Sequence, residues 1–134
     1  MNLIQKIDHI GIAVNNLNEA LRFYEYLGLK ATGQEEVADQ KVRVAFIPIG
    51  DISIELLEPT DENSPVARFL AKKGEGIHHL ALRTFDIEGI LKILKENDIK
   101  LIDNKPRKGA AGAQIAFIHP KSTSGVLLEL CQKD

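Results

Sequence analysis

The chain has 134 residues, 44% hydrophobic and 27% charged, which is enough for one ordinary globular domain and too little for two independent ones. Its net charge of −2 argues against nucleic acid as a partner, and no apolar run approaches the roughly 18 residues that would suggest a membrane span. The lone Cys131 excludes an internal disulfide, and nothing at Met1 to Lys6 reads as a signal peptide, so a cytoplasmic protein is expected.

Ile7 to Val14 alternates as a strand, with Ile10, Ile12 and Val14 on one face and Ile7, His9, Gly11 and Ala13 on the other. The small Gly11 and Ala13 leave room beside His9 for a ligand. Asn15-Asn16 opens a helix with Asn16 as its N-cap; Leu17, Ala20, Leu21 and Tyr24 form the apolar stripe, and Gly28 stops it. Glu35, Glu36 and Asp39 fall in a loop. Val42 to Ile49 and Ile52 to Leu57 read as a hairpin turned at Gly50-Asp51. In the link that follows, Pro59 to Gly76, Ser64 caps a short helix over Pro65 to Leu70, with Pro65 at its first position.

The pattern then starts again. Asp8 to Val14 aligns without a gap on His78 to Thr84, and at the same offset Leu17 falls on Ile87, Leu21 on Leu91 and Leu29 on Ile99. Asp86 replaces Asn16 as the helix cap, and Ile87, Ile90, Leu91 and Leu94 form the matching stripe. Val44 to Ile47 meets Ile115 to Ile118, and Ile54 to Leu57 meets Leu128 to Cys131, the second hairpin having the longer loop at His119 to Ser124. The chain is a tandem duplication: module one over residues 5–60, a linker with a short helix over 61–75, and module two over 76–134. Each half is near the lower size limit for a stable fold, so the two are expected to share one core in a single domain.

The duplication also repeats chemistry. His9 matches His79, and Glu55 matches Glu129. Taken alone, a histidine beside an apolar strand is commonly a satisfied core residue, and Glu55 reads equally well as the exposed member of an edge strand. Carboxylates set twice among Ile and Leu would be costly if buried without positive charge, and a divalent ion supplies that charge. His9, Glu55, His79 and Glu129 therefore make a candidate four-ligand metal site, its nitrogen and oxygen donors suiting zinc, cobalt, nickel or manganese. His78 points to the opposite strand face and reads as structural or exposed. His119 sits in a loop, where a solvated turn and a substrate contact are equal readings.

Several segments carry a resemblance: Asp8 to Val14, Ile54 to Pro59, Asn63-Ser64-Pro65 with Phe69-Leu70, Gly74 to His79, and above all Pro106-Arg107, Gly109-Ala110, Gly112, Ile115 to Lys121 and Gly125 to Leu130. At these residues the sequence resembles the vicinal oxygen chelate superfamily, also called the glyoxalase, bleomycin-resistance and extradiol dioxygenase superfamily, and within it the methylmalonyl-CoA epimerases. The resemblance covers essentially the whole chain. It implies an α+β fold in which two tandem βαβββ modules form a curved mixed sheet around a metal site, with the helices outside. It also implies a homodimer and an isomerase that interconverts the R and S forms of methylmalonyl-CoA by removing the α-proton and stabilising an enolate on a divalent ion, cobalt in the first instance.

Glu55 and Glu129 are then the candidate acid and base, and Arg107, Lys108 and Lys121 the candidate cations for the coenzyme A phosphates, although Lys105, Arg107 and Lys108 also read as a solvated turn. Some of these epimerases have glutamine where Glu55 stands and a separate glutamate where Val44 aligns. The set here is instead the one seen in glyoxalase I. Two other functions follow from the superfamily: a glyoxalase I-like lyase acting on a glutathione hemithioacetal, and a metal-free sequestering protein of the bleomycin-resistance type. The first is disfavoured because His119 to Gly125 lacks the turn associated with many glyoxalases, and the second because the ligand set is intact.

Overall fold

A computed structural model of the chain describes residues 2–133, so Met1 and Asp134 lie outside the described residues. In chain order the elements are β1 (Ile4–Ala13), α1 (Leu17–Tyr26), β2 (Gly33–Val37), β3 (Val42–Ile49), β4 (Ile52–Pro59), α2 (Pro65–Lys73), β5 (Gly76–Thr84), α3 (Ile87–Glu96), β6 (Arg107–Lys108), β7 (Gln114–Ile118) and β8 (Leu128–Gln132). This is βαβββ, a connecting helix, and βαβββ again. The fold is α+β, with an eight-stranded sheet in the order β2-β3-β4-β1-β5-β8-β7-β6. The sheet is mixed: β1 runs parallel to β4 and β5 parallel to β8, whereas the β2–β3, β3–β4, β6–β7 and β7–β8 pairs are antiparallel.

The helix ends follow the local chemistry. Asn16 Oδ1 accepts from Glu19 N at 3.0 Å, Asp86 Oδ1 from Gly89 N at 3.0 Å and Ser64 Oγ from Val66 N at 3.1 Å, each satisfying a donor with no partner in the helix. Helix α1 ends before Gly28, whose φ of 81° is one that residues with a Cβ rarely adopt. Helix α2 runs three residues past the predicted Leu70, to Lys73, and packs against β4.

The chain forms two compact units that divide within β1: His9–His78 makes one, and the chain up to Asp8 together with that from His79 onward makes the other. In the first, the stripe of α1 meets Val14, Ala45, Ile47 and Leu56. In the second, Ile87, Ile90 and Leu91 of α3 meet Ala116, Ile118 and Leu130. Each fully buried Leu or Ile here contributes roughly 1.5–3 kcal/mol. Glu55 and Glu129 alternate with Leu56 and Leu130, so each glutamate lies on the sheet face opposite the one that packs against α1 or α3.

Two expectations are corrected. Glu35 and Glu36 belong to a strand, β2, in which Glu35 stands opposite Val44, and Asp39 sits in the 3-10 turn Ala38–Gln40. The segment Gly33–Val37 is charged and barely apolar, as suits a sheet edge, so periodicity did not reveal it. In β1, Ile7 is exposed and does not share the environment of His9. The buried positions shift by one residue, making Asp8 and His9 consecutive buried residues.

Candidate metal centre

Each unit carries one buried histidine–glutamate pair built on the same plan. On β4, Glu55 stands opposite Gly11 of β1 on one side and Phe46 of β3 on the other. His9 Nδ1 lies 3.1 Å from Glu55 Oε2. On β8, Glu129 stands opposite Ala81 of β5 and Phe117 of β7, and His79 Nε2 lies 3.4 Å from Glu129 Oε1. A glycine or alanine beside each glutamate leaves volume for the imidazole. All four residues are almost fully buried, at 4–5% exposure.

A buried carboxylate is stabilised by positive charge, and a divalent ion would add such charge beside the imidazole. Within each unit a buried histidine and a buried carboxylate could supply ligand atoms to an ion, His9 with Glu55 in one and His79 with Glu129 in the other. Buried imidazole and carboxylate donors are those that divalent zinc, cobalt, nickel and manganese accept, so the residues present fit a divalent-metal site.

Asp8 was not identified from sequence. Its carboxylate is buried, Oδ1 accepting from Arg83 Nε at 2.8 Å and from Arg83 Nη2, and Oδ2 from Lys133 Nζ at 3.0 Å. Two cations already neutralise it, which makes it a poorer ligand than Glu55 or Glu129. The only hint in the sequence was that Asp8-His9 aligns on His78-His79, and the strand alternation pointed away from it.

The remaining candidates are placed as follows. Val44 is buried on the face of β3 that carries Phe46, opposite Leu57, and adds no titratable group. Arg107 is half-buried; its Nε lies 3.1 Å from Asp103 Oδ1, in ion-pair range but not aligned as a hydrogen bond, and its Cζ lies 5.5 Å from the centre of the Phe117 ring. Lys108 and Lys121 are exposed. Lys105, Arg107 and Lys108 line a cavity of about 670 Å³ with Gln114 and Gln132. His119 caps the turn at Pro120–Ser122, its Nδ1 accepting from Lys121 N at 3.0 Å. His78 packs edge-on against Phe69 of α2, and burial, assisted by Lys73, holds it down to about 4. Burial also pushes the Cys131 thiol up to about 12, with Asp8 and Glu129 adding to the effect.

The model of the glyoxalase/bleomycin resistance protein/dioxygenase superfamily matches residues 8–117, and the chain belongs to that superfamily. It is 48% identical to the YqjC protein of Bacillus subtilis over 130 residues, covering 96% of this chain and 93% of that one. It is 37% identical over 133 residues to an ethylmalonyl-CoA/methylmalonyl-CoA epimerase of Cereibacter sphaeroides, covering 97% and 99% of the two chains. Among solved structures, a Streptomyces coelicolor methylmalonyl-CoA epimerase variant in complex with 2-nitronate-propionyl-CoA superposes with a TM-score of 0.93 at 37% identity, covering 97% of this chain and 95% of that one.

Proposed function

We propose that this chain is a metal-dependent epimerase that interconverts the R and S forms of methylmalonyl-CoA. The observation that carries the reading is the repeated buried pair, His9 with Glu55 and His79 with Glu129, in a chain similar along its length to epimerases of this thioester. We assign these four side chains as ligands of one divalent ion, cobalt by resemblance. Bound there, the ion supplies Lewis-acid chemistry, compensating the negative charge that grows on the thioester oxygen as the α-proton leaves.

Inversion needs a proton taken from one face of the α-carbon and another returned to the opposite face. Glu55 and Glu129, one from each module, are the side chains assigned to those transfers. Phe46 and Phe117 stand opposite the two glutamates on the neighbouring strands, where their rings would help to exclude water from a bound substrate. Val44 offers no base, so this chain does not rely on a carboxylate at that position. Arg107, Lys108 and Lys121 are assigned to the coenzyme A phosphates; the cavity that the first two line supports this for Arg107 and Lys108. The homodimer is proposed by resemblance, and the cytoplasmic setting on the free thiol of Cys131.

The test is proton NMR of methylmalonyl-CoA in deuterated water with metal-loaded protein. The α-proton signal of either enantiomer should disappear as the two forms equilibrate. Protein that holds a stoichiometric ion yet leaves both enantiomers unexchanged would refute the reading.

A further inference from the structure

His79 is braced by a chain of contacts that the reaction itself does not require. The Phe117 ring meets the His79 imidazole edge-on, with centroids 5.5 Å apart and planes at 90°. Phe117 is itself held through its backbone. Its N–H donates to Asp103 Oδ2 at 2.8 Å, and its carbonyl accepts from Ile102 N at 3.0 Å and Asp103 N at 3.2 Å. The Arg107 guanidinium lies over the ring, and Arg107 Nε faces the other oxygen of Asp103. Asp103 thus ties down the backbone of Phe117 with one oxygen and the cation above its ring with the other.

We infer that Phe117 is a positioning residue for His79: supported by Asp103 and Arg107, it holds the imidazole plane so that Nε2 stays directed at Glu129. An imidazole turns freely about its last side-chain bond unless something fixes it, and a ligand that must be ordered on binding costs affinity. A perpendicular aromatic neighbour fixes the plane without competing for either ring nitrogen. A cation over that neighbour's face holds the neighbour in turn. The inference rests on the proposed reading of His79 as a metal ligand.

The test compares wild type, Phe117→Leu, Phe117→Tyr and Asp103→Ala without substrate. Zinc and cobalt affinities of the metal-free proteins are measured by competition with a chromophoric chelator, and the visible absorption of the cobalt forms is recorded. Phe117→Leu should lose about 10–100-fold in affinity and alter the cobalt absorption. Phe117→Tyr, which keeps the ring, should restore both, and Asp103→Ala should weaken binding by a smaller factor. Imidazole nitrogen NMR of the metal-free proteins should show one fixed His79 ring in wild type and a mobile one in Phe117→Leu.

A folded Phe117→Leu protein with unchanged affinity, absorption and His79 signals would reduce Phe117 to core packing and overturn the proposal. If that variant does not fold, unchanged affinity and unchanged His79 signals in Asp103→Ala would overturn it instead. A wild type that binds no ion would sink the metal reading, while the comparison of ring mobility would still decide the role of Phe117.

Discussion

Glu55 and Glu129 occupy equivalent places in the two modules, yet their histidines present different nitrogens, Nδ1 from His9 and Nε2 from His79. The two pairs are therefore not interchangeable, and the two proton transfers should separate by mutation. Glu55→Gln should suppress deuterium exchange from one enantiomer more than from the other, Glu129→Gln should reverse that preference, and both should lose net epimerisation. Metal content has to be followed alongside, because a glutamine is a weaker ligand and an empty site would imitate the loss. Exchange of both enantiomers at wild-type rates in both metal-loaded variants would remove the glutamates from the chemistry. His78, the neighbour of His79, makes a prediction about stability. Its folded value of about 4 lies below the ordinary 6.5, so its contribution is fully present above pH 6.5 and is lost as the pH falls toward 4. That shift corresponds to about 3 kcal/mol at most, since His78 is only partly buried. Urea unfolding at pH 7.5 and 4.5 should show His78→Asn losing less stability on acidification than wild type; equal losses would contradict the assignment.

At the scale of elements, capped helices and tight turns were legible because their signals are local. Asn16, Ser64 and Asp86 cap the helices they were expected to cap, and Gly50 turns the first hairpin with a φ of 59°. Strand β2 was not legible, because its charged sequence carries no alternation. The two-residue strand β6 was hidden because it is too short to carry an alternation, and Gly109, which follows it, lies close against Ile115. A Cβ added at Gly109 would lie 2.7 Å from Ile115 Cγ2, whereas one added at Gly33 would meet nothing within 4 Å. Gly109→Ala should therefore destabilise the protein by about 1–3 kcal/mol, while Gly33→Ala, in an extended edge strand, should be close to neutral. Thermal unfolding of the two variants checks this, and equal melting temperatures would show that Ile115 gives way without cost.

At the scale of the whole molecule, two buried glutamates are a standing cost that a bound ion would offset. Adding cobalt or zinc to the metal-free protein should raise its melting temperature, the gain reaching about 4 kcal/mol when the free ion is near a thousand times its dissociation constant. His9→Ala and His79→Ala should each abolish that rise and leave a folded protein, because each truncated side chain stands beside small residues and serves as a ligand more than as packing. A full metal-dependent rise in either variant would show that the missing histidine is not part of the site. Among the described residues no helix is long and apolar enough to cross a membrane.

The duplication, the helix caps and the repeated histidine and glutamate were set by sequence alone, because each is a matter of residue type and spacing along one stretch of chain. What only the tertiary structure decided is which distant side chains share an environment. Asp8 is buried beside His9 because the alternation of β1 slips by one residue, and it is neutralised by Arg83 and Lys133, far along the chain. Phe117 reaches His79 although a different strand carries it. Strand periodicity reports which face a residue takes relative to its immediate neighbours; which faces become buried, and which distant residue is the partner, depend on the sheet's pairing, so neither outcome is written in the local pattern.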